Sequence, residues 1–181
     1  MKSYPYSRLP DSSIRLLHLL PSPDKTSPIK CRLSTYPLLK TDRPHRYEAL
    51  SYVWGTEADQ KSINVDNHKI DIGINLHDAL IRLRDDFFER VLWADALCIN
   101  QQDSSEKGIQ VQAMALIYAK ASQVVVWLGN ETVIRKSALE ELRVAAIKLC
   151  SPTDSVRLRL SRTGKCVGVW AAPNSQTQLR P

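Results

Sequence analysis

The stretch VLWADALCINQQDSSEKGIQVQAMALIYAKASQVVVWLG, from Val91 to Gly129, decides the fold. Val91 to Ile99 is nearly continuous in apolar residues, which predicts a strand buried on both faces with Asp95 inside it. A helical pattern follows from Ser104 to about Ala121, and Gln123 to Leu128 predicts a second buried strand. A strand, a helix and a strand in about forty residues have the size of a βαβ unit, whose strands are parallel. The sequence therefore predicts an α/β fold with a mostly parallel sheet.

Apolar periodicity predicts further elements on both sides of this unit. Upstream it predicts a hairpin, an alternating strand, a small edge hairpin and a helix with Asn75 as its N-cap, in the ranges Ile14–Leu20 with Ile29–Tyr36, Glu48–Trp54, Ile63–Val65 with Lys69–Ile72, and Leu76–Leu83. The helix inside the βαβ unit is expected to bury a stripe formed by Val111, Met114, Ala115, Tyr118 and Ala121. A last helix is predicted from Ser137 to about Cys150. These elements favour a three-layer fold with an antiparallel hairpin at the N-terminal edge.

The net charge of +6 is concentrated near the C-terminus. Of the 25 Lys+Arg and 19 Asp+Glu residues, 18 of each kind precede Arg143, so that 7 basic residues and 1 acidic residue remain. The globular part is therefore neutral, and we expect no nucleic-acid partner. We predict an N-terminal tail at 1–13, one domain at 14–150 and a basic, poorly ordered tail at 151–181.

The spacing of the cysteines and the length of the apolar runs indicate the cellular compartment of the protein. The four cysteines are far apart and have no metal-ligand spacing to a histidine, so the sequence predicts no metal site and no disulfide framework. The first residues lack the apolar region of a signal peptide, and no apolar run is long enough to span a bilayer. We expect a cytoplasmic protein without a membrane span.

Polar clusters follow three of the predicted strands: Trp54-Gly55-Thr56, Asn100-Gln101-Gln102-Asp103 and Gly129-Asn130-Glu131. Ligands of open parallel sheets bind outside the carboxyl ends of the strands, because loops and helix N-termini present polar groups there. If the three loops converge, they line one crevice. The predicted ligand-binding residues are Trp54, Gly55, Asn100, Gln101 and Gln102.

Each of these residues also has a purely structural interpretation. Asp95 is either a functional carboxylate or a structural one bonded to backbone N–H groups or to an arginine. Glu106 either lies at the mouth of the crevice or completes a capping box by accepting from the Asp103 N–H. Trp54 is either a stacking platform or a core residue. The three amides either bind a ligand or hold the turn in place.

Three long blocks of this sequence resemble the signature blocks of the fungal heterokaryon incompatibility (HET) domain family. They are YEALSYVWG, LWADALCINQQDSSEKGIQV and MALIYAKASQVVVWLG, which cover Tyr47–Gly55, Leu92–Val111 and Met114–Gly129. The resemblance extends over roughly Ile14 to Cys150. It implies a death-inducing module of fungal non-self recognition that acts through self-assembly or a protein partner.

The HET family has also been likened to TIR domains, which have a flavodoxin-like fold and in some branches cleave NAD. By this resemblance NAD is a possible substrate and no bound cofactor is expected. Glu106, with Asp95 as the second candidate, would then be the catalytic carboxylate that supports an oxocarbenium-like transition state. Trp54 would hold the ring, and Asn100 and Gln101 would bond the ribose or a phosphate. The remaining alternative is an inactive truncated fragment.

Overall fold

A computed structural model describes residues 4–39, 46–56, 58–129 and 167–170. The described strands are β1 (Ser13–Leu19), β2 (Lys30–Pro37), β3 (Glu48–Tyr52), β4 (Gln60–Val65), β5 (His68–Gly73), β6 (Arg90–Trp93), β7 (Gln123–Trp127) and β8 (Val167–Trp170). The described helices are α1 (Ile74–Leu83), α2 (Asp95–Cys98) and α3 (Ser104–Lys120). The eight described strands form one sheet in the order β5-β4-β2-β1-β6-β3-β7-β8.

The sheet is mixed, so the prediction of an α/β fold is confirmed but that of a mostly parallel sheet is wrong. Strands β6, β3 and β7 are parallel neighbours, and β2 pairs with β4 in the parallel sense. The other described pairs, β1 with β2, β1 with β6, β4 with β5, and β7 with β8, are antiparallel. Short connections between consecutive strands force antiparallel pairing, and the N-terminal half consists largely of such hairpins.

Both predicted hairpins form, but only one lies at an edge. In the β4–β5 hairpin, Asp66 and Asn67 have φ values of 47° and 65°, the left-handed conformation that a tight two-residue turn needs. This hairpin ends the sheet at β5. The β1–β2 hairpin lies in the interior, because β1 also pairs with β6. Its side chains Ile14, Leu17 and Leu19 are almost completely buried.

Helix α1 buries the four residues that the sequence predicts, Leu76, Ala79, Leu80 and Leu83. The predicted cap is wrong. Gly73 is the N-cap, and Asn75 lies in the first turn, where its Nδ2 donates to the Val53 carbonyl at 3.0 Å. The side chain of Asn75 therefore stabilises the loop after β3 instead of the helix end.

The predicted strand from Val91 to Ile99 ends at Trp93, and the chain turns at Ala94 into α2. Asp95 therefore lies at the carboxyl end of β6 and not inside a strand. The apolar residues after it, Leu97 and Cys98, are buried in a short helix, against β1. A continuous apolar run cannot distinguish a buried strand from a strand followed by a buried helical turn.

Helix α3 covers the predicted range and buries part of the predicted stripe. Ala121 is buried, and Met114 and Tyr118 are partly buried against the core. Val111 and Ala115 are exposed instead, and Gln110 and Ile117, which were not in the stripe, are buried. Gln110 is buried because its Nε2 donates to the Ser13 carbonyl at 3.0 Å. Gln110 therefore shows that a polar side chain with a backbone partner can be buried where the pattern favoured an apolar residue.

Two segments outside the predicted domain contribute to the described structure. Val167–Trp170 lies within the segment predicted as a poorly ordered tail and forms strand β8 on β7. Residues 4–12, predicted as part of a tail, include Tyr4 and Tyr6, which hydrogen-bond to Asp66 and Leu97 respectively. The helix predicted from Ser137 to Cys150 lies outside the described residues.

Candidate functional site

The parallel strands β3 and β6 end side by side, and the loops that follow them form a pocket. After β3 the chain passes through Trp54 to Gly55, whose φ of 82° favours glycine. Gly73 lies directly against this loop, because a Cβ at position 73 would be 2.8 Å from the Trp54 carbonyl oxygen. The two glycines thus allow the loop after β3 to pack closely on the end of β5.

The pocket has a volume of about 370 Å³. All five residues predicted to bind a ligand line it: Trp54, Gly55, Asn100, Gln101 and Gln102. Leu128 and Gly129, which follow β7, do not line it, and Asn130 and Glu131 lie outside the described residues. The structure therefore brings together two of the three loops that the sequence suggested.

Three tyrosines that the sequence did not indicate also line the pocket. Tyr4 and Tyr6 come from the N-terminal segment and contact each other edge to face, with ring centroids 4.8 Å apart. Burial raises the pKa of Tyr6 to about 12, so its hydroxyl stays neutral and donates to the Leu97 carbonyl at 2.9 Å. Tyr52 lies at the end of β3. No local pattern marked Tyr4 and Tyr6, because they precede the first strand.

The Asp95 carboxylate accepts two hydrogen bonds, one of them from a residue of the pocket wall. Its Oδ2 accepts a hydrogen bond from Trp54 Nε1 at 2.9 Å, and its Oδ1 accepts one from the Ala96 N–H at 2.8 Å. Burial, together with the Asp95 carboxylate, raises the pKa of Tyr52. Asp95 therefore orients Trp54, and its charge adds to burial in disfavouring ionisation of the Tyr52 hydroxyl.

Glu106 lies away from this pocket and lines a separate cavity of about 350 Å³. Its carboxylate accepts from Arg15 Nη1 at 2.5 Å and Nη2 at 2.9 Å, and from the Asn100 N–H at 2.8 Å. Burial alone would raise the pKa of Glu106, but these hydrogen bonds and the Arg15 charge lower it below its ordinary value. Asp103 caps α3 through the Ser105 and Glu106 N–H groups, but Glu106 returns to Asn100 and not to Asp103.

The Arg15 guanidinium joins the N-terminal segment to the loop before α3. It is almost fully buried and also donates to the Cys98 carbonyl at 3.2 Å and to the Ser7 carbonyl at 2.6 Å. It lies 4.7 Å from the centroid of the Tyr6 ring. Glu106 therefore positions the pocket indirectly, through Arg15 and through the backbone of Asn100.

The side chains of Asn100 and Gln101 hold the turn before α3 in place, and they also line the pocket. Asn100 Oδ1 accepts from the Gln102 N–H at 3.2 Å, and Gln101 Nε2 donates to the Asp95 carbonyl at 3.0 Å. The Oε1 atom of Gln101 is buried without a hydrogen-bond partner among the described residues. A buried acceptor of this kind requires a water molecule or a ligand group as its partner. Among the described residues that line the pocket, Gln101 Oε1 and the Tyr52 hydroxyl are the buried polar atoms without a hydrogen-bond partner.

The part of the chain that the structure describes contains neither a metal-binding cluster nor a membrane-spanning helix. No group of three or more His, Cys, Asp or Glu side chains there could hold a metal ion. None of the described helices combines the length and apolar character needed to cross a bilayer. Cys31 and Cys98 are buried free thiols whose pKa values burial raises to about 12.

The fold and the pocket define an α/β domain with a polar and aromatic cavity at the carboxyl ends of its parallel strands. The chain belongs to the HET family, because the family model described as "Heterokaryon incompatibility protein (HET)" matches residues 47–177. It is 39% identical over 133 residues to heterokaryon incompatibility protein 6, OR allele, of Neurospora crassa. That match covers 66% of this chain and 19% of the relative, so the chain spans about a fifth of its length. No solved structure matches the chain.

Proposed function

We propose that this chain acts in heterokaryon incompatibility, as a cytoplasmic death-inducing domain that works through self-assembly or a protein partner. The observation that carries the proposal is the family match over residues 47–177, together with the name of the Neurospora relative. That relative is about five times as long as the matched region.

The order of the parallel strands supports a TIR-like or flavodoxin-like relationship. Numbered along the chain, β3, β6 and β7 are the first, second and third parallel strands, and they lie in the order second, first, third. The flavodoxin-like sheet begins in the same order. Strands β1, β2, β4 and β5 would then be additions beside this parallel unit.

The proposed function is tested by inducing the full chain in a filamentous fungus and scoring cell death by uptake of a vital dye. Trp54→Ala removes the pocket wall, and Val111→Ser is the matched control, because Val111 is exposed on α3 and does not line the pocket. We expect death with the wild type and the control, and reduced death with Trp54→Ala. Full viability of cells that contain soluble, folded wild-type chain would contradict the proposal.

A second candidate function is cleavage of the N-glycosidic bond of NAD, with NAD as substrate. The pocket supports it by combining aromatic rings with the open acceptor of Gln101. Neither proposed catalytic carboxylate lines the pocket, but Asp95 hydrogen-bonds to the pocket residue Trp54, whereas Glu106 is bound to Arg15 and lines a separate cavity. We therefore place Asp95 before Glu106 as the carboxylate that would act.

Nicotinamide release by purified protein at high concentration tests this second candidate. Asp95→Asn is expected to abolish release while the thermal unfolding midpoint stays near that of the wild type. Glu106→Gln is compared beside it, since cleavage retained in that variant would remove Glu106 as the catalytic group. A well-folded wild type that leaves NAD intact would argue for action by assembly, and a sample without a cooperative transition would indicate an inactive fragment.

A further inference from the structure

A serine, a histidine and a glutamate are joined by two short hydrogen bonds at a distance from the pocket. His18 of β1 contacts Ser34 Oγ through its Nε2 at 2.7 Å and Glu89 Oε1 through its Nδ1 at 2.6 Å. His18 pairs with Val91 at the start of β6, whereas the pocket lies at the carboxyl end of that strand. This cluster of Ser34, His18 and Glu89 is therefore separate from the site described above.

The register of three neighbouring segments brings the cluster together. His18 is the cross-strand partner of Arg32 on β2, and Ser34 lies two residues further along β2. Alternate residues of a strand share a face, so His18, Arg32 and Ser34 all lie on the same face of the sheet. Glu89 directly precedes β6, the other neighbour of β1. Strand pairing thus assembles three residues that no local sequence pattern connects.

The charge of Glu89 decides which imidazole nitrogen carries the proton. Burial alone would raise the pKa of Glu89, but its hydrogen bonds with His18 and Arg32 lower that pKa below its ordinary value. Ionised Glu89 can only accept, so Nδ1–H of a neutral His18 donates to it. The Nε2 atom is then left as an acceptor for the hydroxyl of Ser34. In this tautomer, histidine can take the proton of a serine hydroxyl.

The cluster is accessible, and a cation lies beside it. Ser34 is partly exposed, and the side chains of His18 and Glu89 are 18% and 30% exposed. Arg32 donates from Nη2 to Glu89 Oε2 at 2.8 Å, and its side chain is 56% exposed. A guanidinium next to a nucleophile stabilises the oxyanion that forms when a carbonyl group is attacked. Nucleophile, base, orienting carboxylate and cation therefore occur on one accessible face.

We propose that Ser34 is the nucleophile of an acyl-transfer site that hydrolyses small carboxylic esters, with His18 as the general base and Glu89 as the residue that positions it. Ser34 lines none of the three main cavities among the described residues, so a small ester is the expected substrate class. The proposal goes beyond the proposed function and does not depend on it, because the cluster shares no residue with the pocket.

The reaction has two steps. Ser34 Oγ bonds to the ester carbonyl carbon while its proton passes to His18 Nε2. The bond from that carbon to the alkoxy oxygen then breaks, and the oxygen takes the proton and leaves as the alcohol. In the second step His18 removes a proton from water, and the resulting hydroxide attacks the acyl carbon. The carboxylic acid is released, and the proton returns to Ser34.

A fluorophosphonate probe tests the nucleophile, since an activated serine forms a bond to its phosphorus and displaces fluoride. We expect labelling of Ser34 in the full chain, located by mass spectrometry, and hydrolysis of p-nitrophenyl acetate. Ser34→Ala should abolish both, and His18→Gln should slow both by at least about a hundredfold. Thr35→Ala is the matched control, because Thr35 is an exposed hydroxyl residue on the opposite face of the same strand and should leave both rates unchanged.

Glu89→Gln tests the positioning residue. The nitrogen chemical shifts of the His18 ring report its tautomer, and we expect Nδ1–H in the wild type and a mixture in the variant. Labelling of Ser34 should slow by at least about tenfold. A purely structural Glu89 would change the unfolding midpoint and leave the tautomer and the labelling rate as they are, which would contradict its role.

Thermal unfolding of each variant checks that the fold is retained. Ser34→Ala removes a single hydroxyl group, so it decides the outcome even if His18→Gln does not fold. A folded wild type that the probe leaves unlabelled at Ser34 overturns the proposal, as does Ser34→Ala protein that hydrolyses the ester at the wild-type rate.

Discussion

Gly108 and Gly73 differ in what a methyl group would meet, and this difference can be measured. A Cβ at Gly108, on the exposed side of α3, has no heavy atom within 4 Å, whereas one at Gly73 would be 2.8 Å from the Trp54 carbonyl. We expect Gly108→Ala to raise the free energy of unfolding by about 0.5–1 kcal/mol through helix propensity. Gly73→Ala should lower it by about 1–3 kcal/mol. Urea denaturation measures both, and a stabilising Gly73→Ala would contradict the close packing of the loop.

The Arg15–Glu106 pair gives a second prediction at the scale of single residues. Glu106→Gln leaves the buried guanidinium without its counter-charge, which we expect to cost about 3 kcal/mol of folding free energy. Since the folded-state pKa of Glu106 is below its ordinary value, its stabilising contribution is present above about pH 4.5 and is lost as the pH falls further.

Thermal unfolding of wild type and Glu106→Gln between about pH 7 and pH 3 checks this. The gap between the two unfolding midpoints should be widest near neutral pH and should narrow below about pH 4.5, because protonated Glu106 resembles glutamine. A gap that does not depend on pH would mean that the charge of Glu106 does not stabilise the fold.

At the scale of elements, patterns with one clear period were reliable. Leu76, Ala79, Leu80 and Leu83 repeat at helical spacing, and α1 buries all four. The turn residues Asp66 and Asn67 also predicted the β4–β5 hairpin correctly. The stripe predicted for α3 was only partly correct, because small and apolar residues occupy most sides of this helix. The bond from Gln110 to Ser13 on β1 buries a polar residue that the pattern did not include. That partner is 97 residues away in sequence and leaves no local signal.

The face of α3 that is buried can be tested by two substitutions. Ile117 is fully buried, so Ile117→Ala should lower the free energy of unfolding by about 2–5 kcal/mol. Val111 is half exposed, so Val111→Ala should change it by less than about 0.5 kcal/mol. Chemical denaturation compares the two, and the reverse order of costs would mean that Val111, and not Ile117, lies on the buried face.

At the scale of the whole molecule, the candidate site was only partly predictable. The polar residues after β3 and β6 share one pocket because parallel neighbouring strands end at the same edge, a rule that the sequence can use. Tyr4 and Tyr6 line the same pocket because Arg15 holds the N-terminal segment against the domain. No periodic sequence pattern predicts that this segment folds back. Long-range ion pairs and segment docking are therefore the features that need a structure.

The last prediction concerns the extent of the folding unit. The family match begins at residue 47, yet β1 and β2 lie in the interior of the sheet, between β6 and β4. A chain of residues 47–181 leaves β4 and β6 each with one neighbouring strand instead of two, and it removes the buried side chains of Ile14, Leu17 and Leu19. We expect it to lack the cooperative thermal transition of the full chain, measured by circular dichroism or calorimetry. Leu17→Ala in the full chain is the control, expected to lower stability by about 2–5 kcal/mol and to keep the transition. A sharp transition in 47–181 would mean that the parallel unit folds without the N-terminal hairpin.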